Sequence, residues 1–586
     1  MPYDSLVLNA CISELSSELT GAKVNKVHQP DDRTIIIRYY GAGGSGRLLL
    51  SAHPENGRIH KCAEGRDNPA KAPLFAMVLR KWLEGSRIVA IDSLKDERIA
   101  WLEFDSRNEL GDDIRLKLII EIMGKHSNII LVDSATNIIL DGIRRYGSHL
   151  SRYREVLPGK LYLPPPPMDK LPLVPASEEA LAAALYELAE EPLSVAMRKQ
   201  IKGLSPLLAD NLVLMAGLEP GMPVETIGQY ELGLLYWQLQ RLEQRILKSD
   251  YDPVITVAGK QFGDYYAFDP PSWAQQSKKH FASMNEAIDA FYLARERQQA
   301  FERKKTALAK ALRQNRTRLQ KKIALEEADL ATCEAANIYR EAGDILSANL
   351  YFLHKGLTEV ELPSFNEEGK TVKIKLDPAK TPQENIKYYY KRYGKAKNAR
   401  HLIEEQLDAN KAELNYLFSI EQSLEDSMEK AELEAIEKEA ASAGFYRREA
   451  LSNRKQQTSA SHSQLAPRQY LSQDGFIILI GRNNKQNDRL SLKQAQQDDI
   501  WLHAQKIPGS HTIIISKGQT VPESTIMEAA AYAAWFSKAR GSGKTAVDYT
   551  KAANLHKPNG AVPGYVTYTN QKTVYIEPQQ PPEEDQ

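Results

Sequence analysis

The apolar positions follow three rhythms: short β-branched runs to about residue 170, helical spacing to about 250, and a long stripe beyond 284. In the first stretch, Arg33–Tyr39 and Arg47–Ser51 read as strands around the turn Gly41–Gly44, and Phe75–Leu83 as a helix entered through Pro73. The sharpest pattern is Leu116–Val132, where two strand-type runs flank Glu121, Gly124, Lys125, His126, Ser127 and Asn128. This pattern predicts strand, tight turn, strand. Gly124 takes a backbone angle closed to other residues, and Lys125, His126 and Asn128 point outward. Lys and His meet phosphates and Asn reads a base edge, so the array suits RNA better than a small substrate; the same composition also fits an ordinary surface hairpin.

Pro164–Pro167 cannot join a helix or a ladder and closes a mixed α/β domain over residues 1–170. Residues 171–250 read as all-helical. Gly203–Asp210 resembles the turn of a helix-hairpin-helix, with Ser205 as cap and Pro206 at the first helical position. Amides at such a start hold phosphates, yet no Lys or Arg follows Pro206 in the next turns, so a structural hairpin fits equally well. Residues 251–283 are expected to be a connecting segment.

From Met284 to about Tyr339 the chain lacks proline and glycine and carries a stripe at Phe301, Leu308, Leu312, Leu319, Ile323 and Leu330. Spacings of seven and four alternate, an eleven-residue period that keeps one face apolar. A second stripe, Leu407, Leu414, Leu417, Leu424 and Met428, runs within Ala396–Ala443. Together they predict an antiparallel coiled-coil arm over 284–445, with a small tip domain at about 345–390 whose knob is Asn349–Asp377. The basic block Arg303, Lys304, Lys305, Lys310, Arg313, Arg316, Arg318, Lys321 and Lys322 is expected to pair with Glu413, Glu421, Glu425, Asp426 and Glu429 of the other helix. On the return from the tip, Lys387, Lys391, Arg392, Lys395, Lys397 and Arg400 interleave with Tyr388, Tyr389, Tyr390 and Tyr393 without an acid. Cations among stackable rings suit ribosomal or transfer RNA, while packing of a small core is the alternative for the tyrosines.

A polar joint, Arg454–Ser463, sits in a linker over 446–467, and a compact α/β domain follows over 468–577. Thirteen Lys and Arg against eight acids leave that domain an excess of five positive charges, a modest RNA footprint. Gly541-Ser542-Gly543-Lys544-Thr545 ends like a phosphate-binding loop, but the leading glycine would fall on Lys538, which excludes nucleotide hydrolysis. His503 and His511 fit no zinc spacing, so RNA contact or core packing is expected of them. The tail 578–586 is expected to be disordered.

Composition narrows the class. Over 586 residues, 76 Lys and Arg balance 76 Asp and Glu, so RNA binding must come from local patches. Cys11, Cys62 and Cys333 are scattered, against a zinc ribbon or disulfide framework. No leader or membrane-spanning run is legible, and a cytoplasmic protein without a catalytic constellation is expected.

Glu121-Ile122-Met123-Gly124-Lys125-His126-Ser127-Asn128 resembles the signature of the NFACT family, bacterial branch included. The family's Asp-Arg pair one strand earlier is matched by Glu97-Arg98, with Asp96 just before it as the rival acid. Asp499-Ile500-Trp501-Leu502-His503, Pro508-Gly509-Ser510-His511, Val547-Asp548-Tyr549-Thr550 and Lys557–Gly564 resemble its RNA-binding domain in order and spacing. The resemblance implies a multi-domain α+β protein whose first domain has a glycosylase-like fold. It implies tRNA contacts at Glu97, Arg98, Glu121, Ile122, Met123, Gly124, Lys125, His126 and Asn128. Further RNA or ribosome contacts are expected at Lys387, Lys391, Arg392, Lys395, His503, His511 and Lys557. The implied partners are the large ribosomal subunit with peptidyl-tRNA, ribosomal RNA and alanine tRNA, bound by a monomer without metal or cofactor. The implied function is alanine tailing of stalled chains, with bond formation by the ribosome. A fibronectin-binding adhesin is the alternative. Glycosylase chemistry through Pro2 fails on Tyr3 in place of the following acid and on the missing zinc cysteines.

Overall fold

In the computed structural model the described residues are 3–108, 110–148, 153–259, 261–334, 336–365, 370–447 and 465–582. Pro2, the joint 454–463 and the end of the tail lie outside them. The chain divides into two compact units, Met1–Gln298 and Gln299–Gln586. No helix among the described residues is long and apolar enough to cross a membrane.

The first unit begins with α1 (Ser5–Leu19), capped by the Asp4 carboxylate, which accepts a hydrogen bond from Val7 N. β1 (Lys23–His28), β2 (Thr34–Gly41), β3 (Gly44–Ser51) and β4 (Arg58–Lys61) are followed by α2 (Leu74–Leu83). Then come β5 (Arg87–Ser93), β6 (Ile99–Arg107), β7 (Asp113–Glu121), β8 (Asn128–Asp133) and β9 (Ile139–Gly142). They form one antiparallel sheet of order β4-β3-β2-β1-β5-β6-β7-β8-β9. Both faces of its centre are covered: Leu116, Leu118 and Ile120 point into the main core, Ile119 into a smaller cluster with Ile99, Ile130, Val132 and Tyr162. Two buried faces explain why the end of β7, Leu118–Ile120, and β8 from Ile129 to Val132 read as unbroken apolar runs rather than alternating ones.

α3 (Glu178–Tyr186), α4 (Leu193–Gln200), α5 (Pro206–Met215) and α6 (Gln229–Leu247) follow. Ser205 caps α5, its Oγ accepting from Leu208 N at 3.2 Å and donating to Asp4 Oδ2 at 2.5 Å. One continuous core runs from Tyr3 through these helices to Tyr292, so the proline run does not interrupt it. The segment expected to connect is itself folded: β10 (Val254–Ala258), β11 (Gln261–Tyr266) and β12 (Lys278–His280) form an antiparallel sheet of order β11-β10-β12. Tyr265 and Tyr266 are buried there, and the Tyr266 hydroxyl donates to Asp4 at 2.7 Å.

α7 (Met284–Glu334) carries the first arm stripe and is followed by α8 (Asn337–Ala348). β13 (Glu359–Pro363) and β14 (Thr371–Lys375) form the tip hairpin. α9 (Pro382–Glu425) starts earlier than the stripe suggests because Thr381 and Glu384 form a capping box ahead of Pro382. It ends before Met428, which is 77% exposed in the connection to α10 (Lys430–Ser442) rather than part of the seam. Phe301, Leu308, Leu312 and Leu319 pack with Leu417, Ile420 and Leu424, and with Leu433, Ile436 and Ala440 of α10. The expected charge pairing is mostly absent. Arg316 pairs with Glu421 at 2.8 Å, and Lys305 donates to the backbone of Glu425 and Ser427. Arg303, Lys304, Lys310, Arg313, Arg318 and Lys321 are exposed and form no cross-helix ion pair among the described residues.

The last domain comprises β15 (Arg468–Leu471), β16 (Ile477–Ile480), α11 (Asn484–Arg489), β17 (Ile500–Ala504), β18 (Thr512–Ile515), α12 (Glu523–Trp535) and β19 (Thr545–Lys551). β20 (Leu555–His556), β21 (Thr567–Tyr568) and β22 (Lys572–Ile576) complete it. The main sheet has order β15-β16-β18-β17-β19-β22, with α12 packed on it. It is tied to α10 through Glu432, which takes Arg468 at 3.0 Å and Arg482 at 2.6 Å. Burial opposes ionisation of Glu432, but the two guanidiniums outweigh it and hold the carboxyl below its usual range.

Candidate nucleic-acid interface

The register Ile99↔Glu121 and Glu121↔Asn128 brings the start of β6, the end of β7 and the start of β8 to one edge. Ile122 N donates to Arg98 O at 2.9 Å, so Arg98 sits where the signature turn leaves the sheet. Gly124, at φ +60°, opens a single 3-10 turn over Gly124–His126. Ser127 Oγ accepts from Met123 N at 2.9 Å and closes it. Lys125 and His126 are exposed; Met123, Gly124 and Arg98 are half-buried.

Three of the signature residues expected to contact tRNA face inward instead. Glu121 is 0% exposed, and its two oxygens take Arg154 Nη1 and Nη2 at 2.6 Å each while the Tyr162 hydroxyl donates to it at 3.0 Å. Ile122 belongs to the main core. Asn128, expected outward, is buried: Oδ1 accepts from Ile129 N and Arg144 N at 3.0 Å each, and Nδ2 donates to Arg144 O at 3.0 Å. An amide side chain beside a strand end finds backbone partners at once, and burial without them is unfavourable. These three therefore fix the turn's position, and its accessible chemistry is Lys125 and His126.

Asp96 and Glu97 are also sorted by packing. Asp96 is buried at φ +61°, its Oδ2 accepting from Leu173 N at 3.2 Å. Glu97 is half-buried near Lys202, Arg98 and Lys170, with burial, offset by Lys202, raising its carboxyl above the usual range. Sequence reading missed the turn's other neighbours. Arg144, following β9, donates from Nη1 to Lys125 O and, at 3.4 Å, to Ser127 O. Residues 53–57 pack beneath the turn; a Cβ on Gly57 would lie 3.0 Å from Ile122 Cγ2 and 3.4 Å from Ser127 Oγ. Only the pairing of Arg144-Arg145 after a strand offered a signal.

At the arm tip Lys387, Lys391, Arg392 and Lys395 are all exposed on α9. Tyr389 turns into the tip core and donates to Lys375 O at 2.6 Å. Tyr388 stays exposed and accepts from Arg392 at 3.2 Å, while the Arg392 guanidinium lies 4.4 Å from the Tyr339 ring centre. In the last domain the expected RNA residues are largely committed to packing. His511 is buried between Ser491 Oγ at 2.7 Å and Gly564 O at 3.1 Å, and burial, then neighbouring His503, push its pKa down to about 3. His503 is half-buried and stacks on Trp501 with ring centres 5.7 Å apart. Lys557 is half-buried and pairs with Asp488, whose other oxygen accepts from Gly564 N at 3.0 Å.

Residues 4–459 match the family description "NFACT N-terminal and middle domains", and residues 467–569 match "NFACT protein RNA binding domain". The chain is 36% identical over 579 residues to the Rqc2 homolog RqcH of Bacillus subtilis (strain 168), covering 99% of this chain and 98% of that protein. It is 32% identical over 580 residues to the Rqc2 homolog RqcH of Streptococcus pneumoniae serotype 2, again 99% and 98% of the two chains. Among solved structures, the fibrinogen binding protein from Staphylococcus aureus aligns at 26% identity and a TM-score of 0.42, over 50% of this chain and 99% of that one.

Proposed function

We propose, from the premise that this chain belongs to the NFACT family, that it acts in ribosome-associated quality control as an RNA-binding factor. In finer detail, it binds the large subunit holding a stalled peptidyl-tRNA and brings in alanyl-tRNA for template-free alanine tailing. The ribosome's own peptidyl-transfer centre makes the bonds, and this chain supplies position. The observation that supports the reading best is the exposed Lys125-His126 turn, fixed from below by Glu121, Ile122 and Asn128 and flanked by Arg98 and Arg144. Charged donors on a preorganised turn meet phosphates without ordering cost at the moment of binding. Glu97 is the acid of the family pair in this reading, because Asp96 is spent on Leu173 N. The arm serves as a reach: at about 1.5 Å per residue, α7 and α9 each extend several tens of ångströms and carry the cations of α9 to a distant RNA contact.

The test is the double variant Arg98→Ala with His126→Ala, purified under native conditions. Loss of co-purifying tRNA with an unchanged unfolding midpoint is expected; full tRNA retention overturns the assignment. An adhesin would instead retain fibronectin and show no RNA-dependent absorbance before or after high salt.

A further inference from the structure

Between α5, α6 and the chain that leaves β11, the first unit holds a recess of about 170 Å3. An apolar cavity of about 150 Å3 is enough to take a benzene ring. The floor here belongs to the main core: Leu212, Leu242 and Phe268 are buried, and Met215 is half-buried beside them. Gln238 adds an amide to the lining, but its Nε2 already donates to Met215 O at 2.8 Å. Among the described residues no acid lines the recess.

Two arginines stand in that lining. Trp237, Arg241 and Arg245 recur every four residues along α6 and so share one stripe of its surface. The Arg241 guanidinium lies 5.3 Å from the Trp237 ring centre and the Arg245 guanidinium 5.4 Å from that of Phe268, so an aromatic face orients each of them. Arg241 is exposed and forms no ion pair among the described residues. Arg245 donates from Nε to Asp250 O at 3.3 Å, and Asp250 Oδ2 lies 3.5 Å away. On the same helix Trp237 is 51% exposed and Leu247 71%. Arginine beside exposed tryptophan is a combination enriched where proteins bind one another.

We infer that this recess is a docking site for a protein segment that presents one phenylalanine side chain flanked by carboxylates. The ring enters over Leu212, Leu242 and Phe268, and the carboxylates meet the guanidiniums of Arg241 and Arg245, whose planar forks match carboxylate oxygens. An RNA base is the poorer fit. Its edge carries donors and acceptors that a floor of leucine and phenylalanine leaves unpaired, and burying them in that way is unfavourable. A basic segment is repelled by the two arginines, and a purely apolar one gains nothing from them. The site shares no residue with the signature turn, so the two surfaces can be tested separately.

The experiment uses the full chain and a fluorescein-labelled heptapeptide of glutamates around a central phenylalanine, read by anisotropy beside the same peptide with alanine at its centre. The wild type is expected to bind the phenylalanine peptide with a Kd below about 100 µM and the alanine peptide at least about tenfold more weakly. Arg241→Glu, at an exposed position, weakens the phenylalanine peptide by at least about tenfold with an unchanged unfolding midpoint. Met215→Trp, which fills the recess from its side, brings the two peptides to within about twofold of each other. No binding by the wild type, equal affinity for the two peptides, wild-type affinity in Arg241→Glu, or the full preference kept by a folded Met215→Trp each overturns the inference. A labelled rU6 hexamer whose affinity falls with Arg241→Glu while the peptide is ignored reassigns the recess to RNA and likewise overturns it. Failure of the peptide to bind leaves tRNA retention through Arg98 and His126 untouched, so the proposed function stands or falls on its own test.

Discussion

Arg154 grips both carboxylate oxygens of Glu121 at 2.6 Å in a site where neither side chain reaches solvent appreciably. Glu121 ends β7, so this pair holds the point from which the signature turn leaves the sheet. Removing one partner strands the other as a buried charge, at a cost of about 3–5 kcal/mol. Arg154→Met is therefore expected to lower the unfolding free energy of the first unit by that amount in urea denaturation and to weaken tRNA binding in parallel. Stability within about 0.5 kcal/mol of wild type would show that the pair does not anchor the turn.

Lys125 and Asn128 lie three residues apart yet face opposite ways, so their substitutions should separate cleanly. Lys125→Ala is expected to leave stability unchanged and to reduce the slope of log K against log salt by about 1. Asn128→Ala leaves the buried Ile129 amide and the half-buried Arg144 amide without their acceptor and should cost about 1–3 kcal/mol. Denaturation of both variants beside salt titrations of RNA binding checks the pair.

His60 in the first unit and His511 in the second are buried, and burial pushes their pKa values down to about 4 and about 3. Unfolded histidine titrates near 6.5, so below that pH the unfolded chain takes up protons that the folded chain refuses. Their contribution is fully present above about 6.5 and is lost as pH falls. Between pH 7.5 and 5 each unit should lose about 2 kcal/mol from its histidine. Equal urea midpoints at the two pH values, or imidazole NMR titrations near 6.5, would contradict this.

Leu312 and Met428 both lie on apolar stripes, but only Leu312 is in the seam, at 0% exposure. Leu312→Ala should cost about 2–5 kcal/mol through lost burial and the cavity left behind. Met428→Ala should change stability by less than about 0.5 kcal/mol. Thermal unfolding of the second unit's signal distinguishes them.

How far the residues spoke for themselves varies by element. The strand, turn and strand around Gly124, the cap at Ser205 and the seam from Phe301 to Ile323 were legible because each depends on spacing within a few turns of chain. The end of the seam was misplaced, since a break after Glu425 leaves Met428 outside a stripe that periodicity alone would continue. The basic block predicts pairing because the second helix offers acids, whereas the exposed face of α7 turns its cations away from them. The small sheet of β10–β12 was missed because its strands are short and their partners lie across a turn and a loop.

The sequence by itself determined that a glycine-opened polar turn interrupts two apolar strands, that an arm follows the helical region, and that the family motifs are present. Which of the signature's polar residues meet solvent was decided only by tertiary structure. Glu121 finds Arg154 and Asn128 finds the Arg144 backbone, partners 33 and 16 residues further along the chain. A buried carboxylate or amide is stable only against such a partner, and the identity of that partner depends on how β7, β8 and β9 pair rather than on any local pattern. The same long-range pairing leaves Lys125 and His126 as the groups that the turn offers to an anion, and in the last domain His511 is turned inward by distant partners of its own, Ser491 Oγ and Gly564 O.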